Sequence, residues 1–156
     1  MASKITAATL TVKITETLRL NDRNEGGEVT LSIPSINEIF KRIVTVSTTS
    51  DVELYNTSSG TGTGGMTFPE ANVKYARITN LDDTNYILLV IRNTGADEAV
   101  YKLAAGETFI LHGHDDTFNT DDAAIVDITA GLAAIDQISA QANTAAVDVE
   151  VFVAAT

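Results

Sequence analysis

Apolar and polar residues alternate along most of this chain, the pattern of strands with one face turned to a core. Over residues 8–20, Leu10, Val12 and Ile14 share one face while Thr11, Lys13 and Thr15 take the other. A polar turn with Gly26 and Gly27 follows, and Val29, Leu31 and Ile33 alternate with Thr30 and Ser32. The pair predicts a hairpin with a flexible tip. Pro34 then interrupts the alternation, and Ser35 and Glu38 have capping-box spacing. Ile36, Ile39, Phe40 and Ile43 fit one or two helical turns, leading into a β-branched strand over 42–48. Residues 51–56 predict another strand, with Val52, Leu54 and Asn56 on one side.

Further along, strands are predicted at 74–80, 85–93, 99–103 and 108–111, separated by turns at 81–84, 93–97 and 104–107. The apolar run Ile87, Leu88, Leu89, Val90, Ile91 suits a central strand covered on both faces. Ile125, Ile128, Leu132, Ile135 and Ile138 are spaced like a helix face, so part of 123–138 is expected to be helical, although Gly131 opposes a long helix. Residues 135–142 and 146–154 read as a closing hairpin, with Asp148 and Glu150 on the polar face of its last strand. The sum is an all-β chain, a single-domain, jelly-roll-like β-sandwich over residues 1–156. Eight to ten short antiparallel strands are expected, with at most short helical turns and a flexible Gly/Ser/Thr loop at 57–65. The polar strand at 8–17 and the strand opening at 143–146 are expected edges, where copies of the chain pair into a homo-oligomer.

Composition narrows the function classes. With 156 residues there is room for one substantial core, and Val, Ile and Thr supply 49 of them, which favours strands. No apolar run approaches the roughly 20 residues of a membrane helix, and residues 1–4 open no secretory-signal core, so no membrane partner is expected. The absence of cysteine excludes disulfides, thiolate metal sites and thiol nucleophiles. A net charge of −11 argues against a nucleic-acid partner. All ten Lys and Arg lie at or before Lys102, whereas residues 103–156 carry nine acids and no base. That final third is a solvated face, a docking surface for a basic neighbour, or a crowded carboxylate site that recruits Ca²⁺.

Catalytic chemistry finds little to work with. His112 and His114, the two histidines of the chain, share a strand face, and with Gly106 they form Gly-x5-His-x-His, which resembles the opening of the first cupin motif. The glutamate that motif requires is replaced by Phe118 and Asn119, and the second motif has no histidine to use. Asp115 or Asp116 remains as a substitute carboxylate. The glycines of 57–65 are followed by no Lys-Ser or Lys-Thr, and neither Gly-x-Ser-x-Gly nor His-Glu-x-x-His occurs. The acid pairs Asp82-Asp83, Asp115-Asp116 and Asp121-Asp122 fall in turns, where Asp bonds the backbone. Tyr55, Tyr75, Tyr86 and Tyr101 lie on separate strands and suit packing better than a sugar groove. No catalytic, cofactor-binding or metal residue is assigned.

Three stretches carry a resemblance: 73–86, containing Asn80-Leu81-Asp82-Asp83-Thr84-Asn85; 103–107, containing Ala105-Gly106-Glu107; and 143–152, containing Thr144-Ala145-Ala146-Val147-Asp148-Val149-Glu150. They resemble small β-sandwich structural proteins of tailed bacteriophages. The resemblance implies a non-enzymatic virion component assembled in the host bacterial cytoplasm, with the major capsid protein or other virion subunits as partners. A capsid decoration or cement protein is the first expectation, a neck, tail or fibre component the alternative, and a cupin-like metal-dependent protein the second alternative.

Overall fold

A computed structural model describes residues 5–57, 67–94, 97–113, 116–118 and 132–156. Thirteen strands follow in chain order: β1 (Ala8–Thr15), β2 (Arg19–Leu20), β3 (Arg23–Asn24), β4 (Glu28–Ile36), β5 (Glu38–Val46), β6 (Val52–Asn56), β7 (Val73–Asn80), β8 (Ile87–Asn93), β9 (Glu98–Leu103), β10 (Thr108–Leu111), β11 (Thr117–Phe118), β12 (Ala133–Ala142) and β13 (Val147–Ala155). One 3-10 turn, Glu70–Asn72, precedes β7.

Eight of these strands build the body. One sheet runs β10-β7-β13-β5, and the other runs β12-β8-β9 with β6 and the short β11 on the free side of β12. Within the eight, the first pairs with the last (β5 with β13), the second with the seventh (β6 with β12), the third with the sixth (β7 with β10) and the fourth with the fifth (β8 with β9). Nested antiparallel pairs of this kind are one long ribbon rolled into two facing sheets, so the fold is a jelly roll. Its core lies between the sheets, where Val46, Ile78, Leu89, Leu103, Ile138, Val149 and Val151 are buried.

Strand content agrees with the β-branched composition, and β6 through β10 lie where the alternation placed them. Three expectations are corrected. The first is helix at 36–43, where the chain is extended as β5 and pairs with β13 without a shift; just before it, Ser35 adopts a positive φ of 66° at a bulge where β1 and β4 shift register. The bulge resets the side-chain parity, so Ile33 and Ile36, three apart, point the same way in extended chain. Ile39 and Ile43 then face outward on β5, and Phe40 and Val44 face in. Ile135 and Ile138 repeat the effect, because β12 shifts register against β8 between Ile135 and Gln137, and both side chains reach the core without a helix. Residues 123–131 of that expected helix lie outside the described residues, as does the loop at 57–65 apart from Thr57.

The second correction concerns the closing hairpin. β12 and β13 belong to opposite sheets, and residues 143–146 cross between them instead of reversing a ladder. Third, β13 is no edge: β5 and β7 flank it along its length. In addition, β8 is central as expected, but its outer residues Leu88 and Val90 are only half-buried.

Candidate interaction surface

β1 and β4 pair only with each other and form a two-stranded ribbon outside the jelly roll. Its cross-strand pairs Leu10–Ile33, Val12–Leu31 and Ile14–Val29 make one face wholly apolar. The opposite face is polar, with Thr11 beside Ser32, Lys13 beside Thr30, and a Lys13–Glu28 ion pair at 3.0 Å. At its base the apolar face packs on the outer surface of the four-stranded sheet. There Ile36, Tyr75 and Ala154 are buried, and Leu10, Val12, Ile33, Ile110 and Phe152 pack around them. Tyr75 and Phe152 meet edge to face at 6.1 Å, and burial pushes the Tyr75 phenol pKa up, against the opposing pull of Arg77.

The cover runs out along the ribbon. From Ala154 on β13 it passes over Tyr75 on β7 to Ile110 on the edge strand β10, and exposure then rises through Leu31 (38%), Ile14 (48%) and Val29 (67%). A cleft of about 180 Å³ opens where the ribbon lifts off, lined by Val12, Ile14, Val29, Tyr75, Ile110 and His112. That is below the size of a typical small-molecule site. Beyond it the tip doubles back through Glu16 N–H to Gly27 O and Glu25 N–H to Leu18 O. Asn21 and Asp22 both have positive φ (48° and 62°), as a type I′ turn requires, and β2 pairs with β3 around them. The tip expected between the two strands therefore contains a second hairpin, β2–β3. Gly26 is required there, since a Cβ would sit 2.0 Å from Glu16 O. Leu18 and Leu20, more than half exposed, stand on this tip. Sequence reasoning missed the overhang; its only signal was apolar residues placed within an otherwise polar turn region.

The three stretches behind the phage resemblance meet at one end of the body. Asn80, buried, spreads its side-chain N–H groups over the carbonyls of Asn85 (2.9 Å), Ala104 (3.0 Å) and Leu103 (3.4 Å), while its Oδ1 accepts from Asp82 N–H. Asn80 N–H donates to Glu107 O, and Leu81 N–H donates to Asp148 O. Gly106 supplies the positive φ of 73° that turns the 104–107 segment, and Glu107 accepts from Ala104 N–H. The Asn85 and Thr84 N–H groups hold the Asp82 carboxyl below the usual carboxylate range. These residues staple the turns at that end of the body.

The remaining sequence-selected residues are dispersed. His112 lies exposed just past β10, and its N–H donates to Asp116 Oδ2 at 2.7 Å; His114 and Asp115 lie outside the described residues. Among the described residues no three His, Asp or Glu side chains gather as a metal site would need. Tyr55 is buried in the core, Tyr101 packs on Phe109, and Tyr86 carries the Lys102 ammonium over its ring at 4.3 Å.

The described acids of 103–156 serve separate places. Asp148 accepts from Thr45 Oγ1, and Glu150 on β13 pairs with Lys41 (2.9 Å) and Arg77. Lys41 first, then Arg77, holds the Glu150 carboxyl below its ordinary range. Asp121, Asp122 and Asp127 lie outside the described residues. A polar cleft beside Arg92, Glu98 and Gln137 is internally compensated: Arg92 bonds Glu98 at 2.6 Å and Ser139 at 2.8 Å. Among the described residues, the ribbon's overhanging apolar face is a feature without a local explanation. No protein-family model, curated protein or solved structure matches the chain.

Proposed function

We propose that this chain is a non-enzymatic structural component of a tailed-bacteriophage particle, acting as a capsid decoration or cement protein. The observation that carries the reading is the amphipathic ribbon, whose apolar face continues past the body that covers its base. A two-stranded ribbon is marginal by itself in water, and an uncovered apolar strip on a projecting element belongs against another subunit. The resemblance of residues 73–86, 103–107 and 143–152 to phage structural proteins supplies the particle class. On a shell, many such weak contacts are multiplied by symmetry, with the major capsid protein or other virion subunits as partners.

Imaging by electron microscopy of the particle whose genome encodes the chain tests this. High-copy density on the head surface fitting the jelly roll is expected. Low-copy density at the neck or tail would replace decoration with the alternative, and absence from the particle would end both readings.

A further inference from the structure

The ribbon leaves the outer face of the four-stranded sheet over β10, and the opposite edge of that same face carries a second exposed strip. On edge strand β5, Ile39 and Ile43 point outward at 67% and 60% exposure, with Lys41 between them on the same face and paired to Glu150. Ile39 is the direct cross-strand partner of Ala154, and Ala154 is fully buried by the chain's own ribbon. Thus the face already binds the ribbon's apolar side, and the cover stops one strand short of β5. The overhang cannot return to that strip within one chain, because it departs across the far edge. Residues 16–27, folded double at about 3.3 Å per residue, give the tip a reach of roughly 20 Å, several interstrand spacings.

Resting on the assembly reading above, we infer that the overhanging half of the ribbon packs on the β5 side of the same sheet face in a second copy of this chain. Ile14, Leu18, Leu20 and Val29 of one copy cover Ile39 and Ile43 of the next. The four-stranded sheets then lie side by side, the β10 edge of one against the β5 edge of its neighbour. The two surfaces differ, so the contact is heterologous: each copy gives a ribbon and receives one, and the series closes as a ring when its rotation permits.

Sedimentation of the isolated protein from micromolar to millimolar concentration tests the inference. The wild type should associate with rising concentration. L18D/L20D, which spoils the ribbon, and I39D/I43D, which spoils the strip, should each weaken association at least tenfold. All four residues are exposed, so melting temperatures should stay within a few degrees of wild type. Mixing the two variants should yield a 1:1 heterodimer and nothing larger, since one intact ribbon meets one intact strip. As a second route, the cysteine-free chain allows L20C and I43C to be mixed under oxidation, and an interchain disulfide between them is expected.

A wild type monomeric throughout, a mixture that stays monomeric, or no disulfide would overturn the inference. The readout is independent of the particle. A solution monomer found on a phage head sinks this contact and leaves the decoration role standing, whereas a ring absent from the particle does the reverse.

Discussion

Ile39 and Ala154 stand opposite each other in neighbouring strands, yet Ala154 is completely buried and Ile39 is 67% exposed. The boundary between them is the limit of the β1–β4 ribbon. Burying an isoleucine side chain is worth on the order of 2 kcal/mol. Ile39 and Ile43 on one edge and the apolar ribbon residues that overhang the other therefore gain nothing from burial in the single chain, and the proposed contact between copies would supply it.

The base of the ribbon hangs on Ile36. Ile36→Ala removes its buried contact with Tyr75 and Ala154, a loss of about 2–5 kcal/mol for a large aliphatic side chain. Hydrogen exchange should then rise at least tenfold over β1 and β4 while the β13 amides, bonded to β5 and β7 within the sheet, keep their protection. Equal loosening of both would mean that the ribbon folds as one unit with the body.

Gly26→Ala should disorder the tip without unfolding the jelly roll, because the added Cβ meets backbone and not a movable side chain. Exchange protection of Arg19–Asn24 is the readout, together with weaker self-association. An unchanged tip would show that the close approach to Glu16 relaxes freely.

Asn80→Ala leaves the Asn85, Leu103 and Ala104 carbonyls without their shared donor, at a cost of about 2 kcal/mol. Thermal unfolding should fall by several degrees, at roughly 2–4 °C per kcal/mol for a domain of this size. A drop below one degree would remove Asn80 from its place as the staple of that end.

Acid should act through Glu150. Its folded-state pKa lies below the unfolded value, so its stabilising contribution is present above the unfolded pKa, near 4.3, and is lost as pH falls through the folded pKa. Resistance of the wild type to denaturant should fall on acidification below about pH 4, and Glu150→Gln should flatten part of that dependence. Identical acid profiles would show that Lys41 and Arg77 are screened by solvent. Pairs this close to the surface contribute modestly.

Purified protein should carry no stoichiometric zinc, iron or manganese by elemental analysis, and a chelator should leave its melting temperature unchanged. One metal ion per chain, held through His112 and His114, would restore the cupin-like alternative.

Much of the body was legible because short apolar stretches alternate with turns rich in Asn, Asp and Gly, and β8 buries every second residue. At 36–43 the helix-like spacing arises from apolar residues on both faces of edge strand β5, Ile39 and Ile43 outward and Phe40 inward, and between Ile135 and Ile138 one extra residue converts a spacing of two into three. Pairing was less legible than strand existence. The alternation of β12 and β13 is the same whether residues 143–146 reverse a hairpin or cross between sheets, so the closing hairpin was misread. The interaction surface was hidden for a related reason. Val12 and Val29 belong to one apolar stripe in sequence, and only the position of β10 decides which is covered.

The placement of β13 between β5 and β7 also bears on synthesis. It is the last of the eight body strands in chain order, so until it emerges its two future neighbours face each other across an empty slot. Much of the core therefore waits on contacts that are distant in sequence, the kind that close slowly. A chain interrupted before Val147 would offer two unpaired edges at once, and an insertable foreign strand would be the hazard during that interval.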